Sequence, residues 1–404
     1  RFRANRKVYD KLPGDVIKMS WSKLGLSNLV LRVIRVNTGT LTDGEIEIDA
    51  AEDVFGMPSA TYAAQPPVGW TPPNTSPAVA ANRMVEEAGY YEVLRVVGTS
   101  NISSLPSGTG YAIAAAVRPS GDSMDFGTLT RVGGAAYEEV DRGAFCPSGT
   151  LTATMLPGAT SATVTGMVDA DLVVAGTFAQ IDAEIVRVDT FDQNTGAMTL
   201  GRGVNGTVAT SHAAGARVFF RDSYTAVDPT ERVSGETVNI KLTPRTGLGE
   251  LVEGSAPADN VVMAQRAERP YPPGRMRIAT LAYPTSLSNT VPAITWSHRD
   301  RTQQNLQGDE STNIGPEVGT TYTVEISNAD TSTVLVTSTG ITGTSYTPAL
   351  FAGTFNMRVR LWSVRSGLES AQKHNYTFAY TASVGSGATL TATASLIPGS
   401  ASGA

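Results

Sequence analysis

The side chains that could do chemistry in this chain are few and scattered. Its three histidines, His212, His298 and His374, fall in separate stretches with no HExxH or similar pairing, so no metal site is expected. His212 lies in GRGVNGTVATSHAAGARVFF, Gly201 to Phe220, as a buried general base or as a side chain hydrogen-bonded within its own loop. That string offers no nucleophile or carboxylate partner, which favours the second role. Acidic pairs stand at Glu86/Glu87, Glu138/Glu139, Asp169/Asp171 and Asp309/Glu310. Glycoside hydrolysis needs two acids on opposite sides of a sugar. Adjacent residues on a strand point to opposite faces, and in loops they are solvated, so none of these pairs is expected to be catalytic. Asp169 and Asp171 offer oxygens to a calcium ion, a thin basis for a site. Gly201 to Gly206 has the look of a phosphate loop but lacks the Lys-Ser/Thr pair and the following helix. The single cysteine, Cys146, allows neither an internal disulfide nor a zinc set. No catalytic, cofactor-binding or metal residue is assigned, and no enzymatic activity is expected.

Contact surfaces are the alternative. Alternation places Phe355, Met357, Val359 and Leu361 inward and Arg358, Arg360 and Trp362 outward. The outward three would meet a neighbouring subunit or a cell-surface glycan, or form an Arg–Trp stack capping the sheet, which is the favoured reading. Trp70, within AAQPPVGWTPPNTSP, is the better candidate for docking against a neighbouring chain.

The elements that must position these groups are β-strands. A chain of 404 residues suggests roughly two to four domains. With 41% hydrophobic and 17% charged residues, 40 glycines and 22 prolines, it favours turn-rich β structure. A formal net charge of −6 without a long basic block argues against sequence-specific nucleic-acid binding. No apolar run approaches the ~20 residues of a membrane span, and Arg1-Phe2-Arg3 is not followed by a signal-peptide core. Strand-like sequence starts almost at Arg1, which suggests a segment of a longer polypeptide with partners preceding it.

Strands are expected at Val16 to Trp21, Leu29 to Val36 and Glu45 to Ala50, within a first region 1–56. Region 57–145 opens with the proline-rich stretch and continues as a small α/β part, with a helix expected over Val79 to Gly98 and strands at Tyr111 to Arg118 and Phe126 to Val132. Six short strands in 146–222 (SGTLTATMLPG, SATVTGM, DLVVAGT, AEIVRVDTF, GAMTLGRG, GARVFF) read as a small barrel. Region 223–273 holds return strands packing on the preceding region, then a stiff linker, Glu268 to Gly274. Region 274–380, with a core needing Trp296 and Tyr322, resembles a fibronectin type III module. Residues 381–404 are small and polar, a linker or flexible end.

Two strings carry a wider resemblance. PGDVIKMSW with LVLRVIRVNTGTLTDGEIEIDAAEDVFG, and the GRGVNGT…HAAGA loop, resemble the tail-tip or baseplate hub (host-specificity, tip attachment) proteins of tailed bacteriophages and gene transfer agents. The resemblance implies a mainly β, multidomain fold: a hub β-barrel-like domain with a small α/β part, an inserted β-barrel and a fibronectin-like sandwich. It implies a structural virion protein at the distal end of the tail that closes the tail tube, carries fibres and takes part in host attachment and DNA delivery. The implied partners are further copies of the chain, as a homotrimer, then distal-tail, tape-measure and fibre proteins and a host cell-surface receptor. The rival is a secreted multimodular carbohydrate-active enzyme or an adhesin, against which stand the lack of an export signal and of a convincing acid pair.

Overall fold

Period-two alternation punctuated by glycine turns gives β structure along nearly the whole chain, and the chain is mainly β. The computed structural model describes residues 1–40, 44–53, 76–304 and 306–383. The chain divides into two units, Arg1–Pro73 and Asn74–Ala404. In the first unit Phe2–Asn5, Glu45–Glu52, Leu26–Asn37 and Val16–Trp21 form one antiparallel sheet in that order. Its core is small: Val33, Ile46 and Ile48 are buried, with Phe2, Ile17 and Val36 against them. Trp70 and the proline-rich stretch around it lie outside the described residues.

The second unit holds three blocks. The first is an antiparallel sheet built on Thr237–Thr246, which pairs with Asp125–Val132 on one side and Ala258–Val262 on the other. Over it lies a smaller sheet whose central strand, Ala112–Ala116, is buried throughout. Alanines there let the layers approach closely around Phe126, Phe145, Ile240 and Leu242. The expected helix over Val79 to Gly98 is corrected by this sheet. Arg83–Glu87 is a strand paired with Ala112–Ala116, and only Tyr90–Val97 is helical. The Glu92 carboxylate accepts the Gly89 N–H at the helix start, and Gly98, at φ 82°, ends it. Strand pairing here overrides a spacing that suits a helix equally well.

The second block is a closed six-stranded barrel: Ser148–Leu151, Ser161–Val168, Ala197–Gly201, Glu184–Phe191, Phe178–Ile181 and Arg217–Phe219, the last returning to the first. One strand departs from expectation. DLVVAGT forms a short turn at Ala170–Leu172, and the strand is the adjacent Phe178–Ile181, whose four residues are all buried.

The third block is a two-sheet sandwich. Gly274–Ile278, Ile294–Ser297 and Ser345–Tyr346 form one sheet; Ser286–Ser288, His374–Ala382, Gly353–Arg365, Thr321–Asn328 and Thr333–Ile341 form the other. Trp296 and Tyr322 meet edge to face in its core at 5.4 Å between ring centroids. The last strand runs on to Ala382, two residues past the expected end of this region. The stretch expected as a stiff linker between separate domains is packed into the structure: Pro270 to Gly274 is buried throughout.

Close packing in the first block makes a direct prediction. A β-carbon on Gly143 would stand 2.4 Å from Cζ of Phe126. Gly143→Ala should destabilise the fold by about 1–3 kcal/mol, read as a lowered urea midpoint; an unchanged midpoint would show that the alanine-lined interface can open at no cost.

Candidate functional site

The glycine-rich loop after Ala197–Gly201 carries one arginine into the interior. Arg202 is bound by the strand Glu184–Phe191, which follows Phe178–Ile181 through a two-residue turn, Asp182 and Ala183. Its Nε and Nη2 donate to the two carboxylate oxygens of Glu184, both at 2.8 Å. Nη1 donates to the carbonyls of Leu156 and Ala159, and Nη2 also to that of Thr210. All five N–H donors of the guanidinium thereby have acceptors. Glu184 also accepts the backbone N–H groups of Gly203 and Thr210, each at 2.9 Å.

His212 completes the cluster. Its Nδ1 lies 2.8 Å from a carboxylate oxygen of Asp182 and its Nε2 2.8 Å from one of Glu184. With acceptors at both nitrogens the ring is satisfied fully only as imidazolium. Burial works to lower the His212 pKa, but hydrogen bonds to Glu184 and Asp182 hold it above its ordinary value. Burial likewise works to raise that of Glu184, while hydrogen bonds from Arg202 and His212 pull it below the usual carboxylate range. The sequence reading kept His212 within its own loop for want of a carboxylate in the string. The structure supplies two from the neighbouring hairpin.

The outer side of the same loop carries the sandwich. Arg299 donates to the carbonyls of Gly203 and Thr207, at 2.9 and 3.3 Å, and to that of Gln307 at 3.1 Å. Gln372 accepts the N–H of Val208 and donates to the carbonyl of Ala183. The N–H of Asp309 donates to the carbonyl of Arg202. Glycine is required twice for this contact. Gly203, at φ 55°, would place a β-carbon 2.9 Å from the Ala209 nitrogen, and Gly206, at φ 81°, 3.0 Å from the Tyr271 ring. Tyr271, in the proline-rich linker, is thus clamped between the barrel loop and the sandwich, where Ser363 donates to its carbonyl.

A second ionic cluster ties the barrel to the first block. Arg221, just past the last barrel strand, is fully buried. It donates to Gln180 of the barrel, to Glu86 on the strand Arg83–Glu87 and to Glu92 on the helix. Arg266 pairs with Glu86 as well. Arg301, held by Glu317 within the sandwich, donates to the carbonyl of Ala267 and lies over the Tyr90 ring, tying the sandwich to the first block.

The acidic pairs are dispersed among such contacts. Glu86 is paired as above, and Glu87 accepts the N–H groups of Ala264 and Arg266. Glu139 pairs with Arg142, Asp169 with Arg118 and Glu310 with Arg277. Among the described residues no group of three or more His, Cys, Asp and Glu is arranged to hold a metal ion. His298 meets the Tyr322 hydroxyl at 2.7 Å, and His374 donates to the carbonyl of Pro273 at 2.6 Å. Cys146 is buried, which pushes its thiol up to about 12.

The outward trio on the sandwich does not form a bare surface. Trp362 lies on the expected face but is only 7% exposed. Arg360 stacks on its ring at 5.4 Å and Lys373 at 4.1 Å. Arg358 donates to Ser327 and Arg360 to Glu325.

No family model matches the chain, and no curated protein matches it. Among solved structures, one titled "Crystal structure of chicken CNTN1 FN1-FN3 domains" overlaps it at 10% identity and a TM-score of 0.20, covering 59% of this chain and 68% of that one. An overlap at that score carries no argument about architecture or activity.

Two outcomes follow for the cluster. Arg202→Met leaves the Glu184 carboxylate buried without its guanidinium and should cost about 3–5 kcal/mol in denaturant unfolding; a loss below about 1 kcal/mol would contradict the ionic account. The raised His212 pKa stabilises the fold fully below its ordinary value of 6.5, and this contribution is lost as pH rises through the folded value. The stability gap between the parent chain and His212→Gln should therefore be widest near pH 5.5 and shrink toward pH 9; a constant gap would show that the ring is not charged in the fold.

Proposed function

We propose that this chain is a structural component of a phage-type tail tip, part of a baseplate hub, working by holding attached parts in fixed orientation. The observation that carries the reading is where the buried charge goes. Arg221, Arg299 and Arg301 each reach from one block to carboxylates or carbonyls of a neighbouring block, while Arg202 stiffens, from within, the barrel loop that the sandwich contacts. Charge placed in this way fixes geometry. A part that transmits load in a particle needs that rigidity.

Two further features support the reading. The GRGVNGT…HAAGA string that resembles hub proteins is the loop on which barrel and sandwich meet. In the first unit Tyr9, Leu12, Trp21, Leu24 and Ile34 are exposed, as suits a subunit covered by neighbours in an assembly. In this role the partners are other copies of the chain, as a homotrimer, together with distal-tail, tape-measure and fibre proteins and a host surface receptor. The location is the distal end of the tail.

Immunogold labelling of purified tailed particles with an antibody to the sandwich should place label at the tail end. Label absent from that end, or release of reducing sugar from bacterial surface polysaccharide by the purified chain, would overturn the proposal.

A further inference from the structure

Beside this joint, barrel and sandwich leave an open cleft in two adjoining halves of about 1190 and 670 Å³. Pro157, Gly158 and Ala209 of the barrel and Ala282 and Tyr283 of the sandwich line both halves. Tyr283 is held at φ 50°, a left-handed conformation costly for an aromatic residue and one that recurs at ligand clamps. Its ring meets Tyr376 edge to face at 5.3 Å, so two half-exposed aromatics stand together on the wall.

The charges around the cleft are already matched. Arg187 is paired with Asp189, Arg277 with Glu310 and Lys373 with Glu369. What remains for a ligand is neutral: the hydroxyls of Ser211 and Thr285 and the amide of Asn375, all on exposed residues. One buried group lacks a full complement. Asp309 lines the second half, its side chain is 2% exposed, and its Oδ1 has no hydrogen-bond partner. Burial raises its pKa, against the opposing charges of His374 and Arg299.

We propose that this cleft binds a neutral oligosaccharide, with sugar rings against Tyr283 and Tyr376 and hydroxyls at the Asn375 amide and the Ser211 and Thr285 hydroxyls. Adjacent aromatic rings, uncharged polar groups and a volume above that of a typical single-ligand pocket together suit a chain of sugars better than an anion or a cation. The proposal goes beyond the structural role above and does not depend on it.

The test is calorimetric titration of the whole chain with three soluble probes, maltoheptaose, cellohexaose and chitohexaose, and with decaproline as a peptide probe. At least one sugar should bind. Tyr283→Ala, which removes a stacking face, and Ala282→Arg, which adds bulk at an exposed position lining both halves, should each weaken that binding about tenfold or more. The melting temperature of Ala282→Arg should stay at the parent value, so that the result stands even if Tyr283→Ala unfolds. Absence of heat with all three sugars, sugar binding unchanged by Ala282→Arg, or binding of decaproline alone would each overturn the proposal.

Discussion

A guanidinium group taken out of water must find acceptors for its N–H bonds, and in this protein that demand ties the blocks together. Arg202 draws Glu184 and three carbonyls around one point inside the barrel loop. Arg299 then uses the outward-facing carbonyls of the same loop. Arg221 repeats the device at the other end of the barrel, between Gln180, Glu86 and Glu92. Buried ion pairs add little net stability compared with apolar packing, because desolvation offsets most of the attraction. Their consequence is directional: a misplaced block leaves a buried guanidinium without its acceptors.

That constraint explains features that otherwise look unrelated. Gly203 and Gly206 are glycines because backbone and the Tyr271 ring come too close for a β-carbon. The proline-rich linker is buried because the joint closes over it, so the sandwich is docked instead of tethered. The cleft exists because the joint fixes barrel and sandwich along one side and leaves the other open. Rigid coupling and a lined cleft are compatible, since a fixed joint gives a fixed binding wall.

Much of the fold was legible from alternation and turns. The hairpin from Glu184–Phe191 to Ala197–Gly201 follows from Val186 and Val188, a turn at Asp192 to Gly196, and Met198 and Leu200. The sandwich core was legible in Trp296 and Tyr322. Misreadings came where a short apolar run suits two states. Arg83–Glu87 has a helix-compatible spacing, and only its partner strand decides for β. The joint was harder to see, since Arg202 and Glu184 are 18 positions apart and Arg299 is 96 from Gly203. The available signal was subtler: Glu184 stands directly before the apolar pair Ile185-Val186, and Arg202 stands alone among glycines and valines. Charge in such a setting must be paired by something distant.

The central claim is that buried hydrogen bonds, those of the Arg299 guanidinium foremost, lock barrel and sandwich into one body. Pulsed electron spin resonance between nitroxides at Thr163→Cys on the barrel and Val334→Cys on the sandwich measures this most directly, since both positions are exposed and Cys146 is buried. The account predicts one narrow distance distribution in the otherwise native chain and a broad one once Arg299→Met is added. A broad distribution from the start, or a narrow one that survives the loss of Arg299, would contradict it.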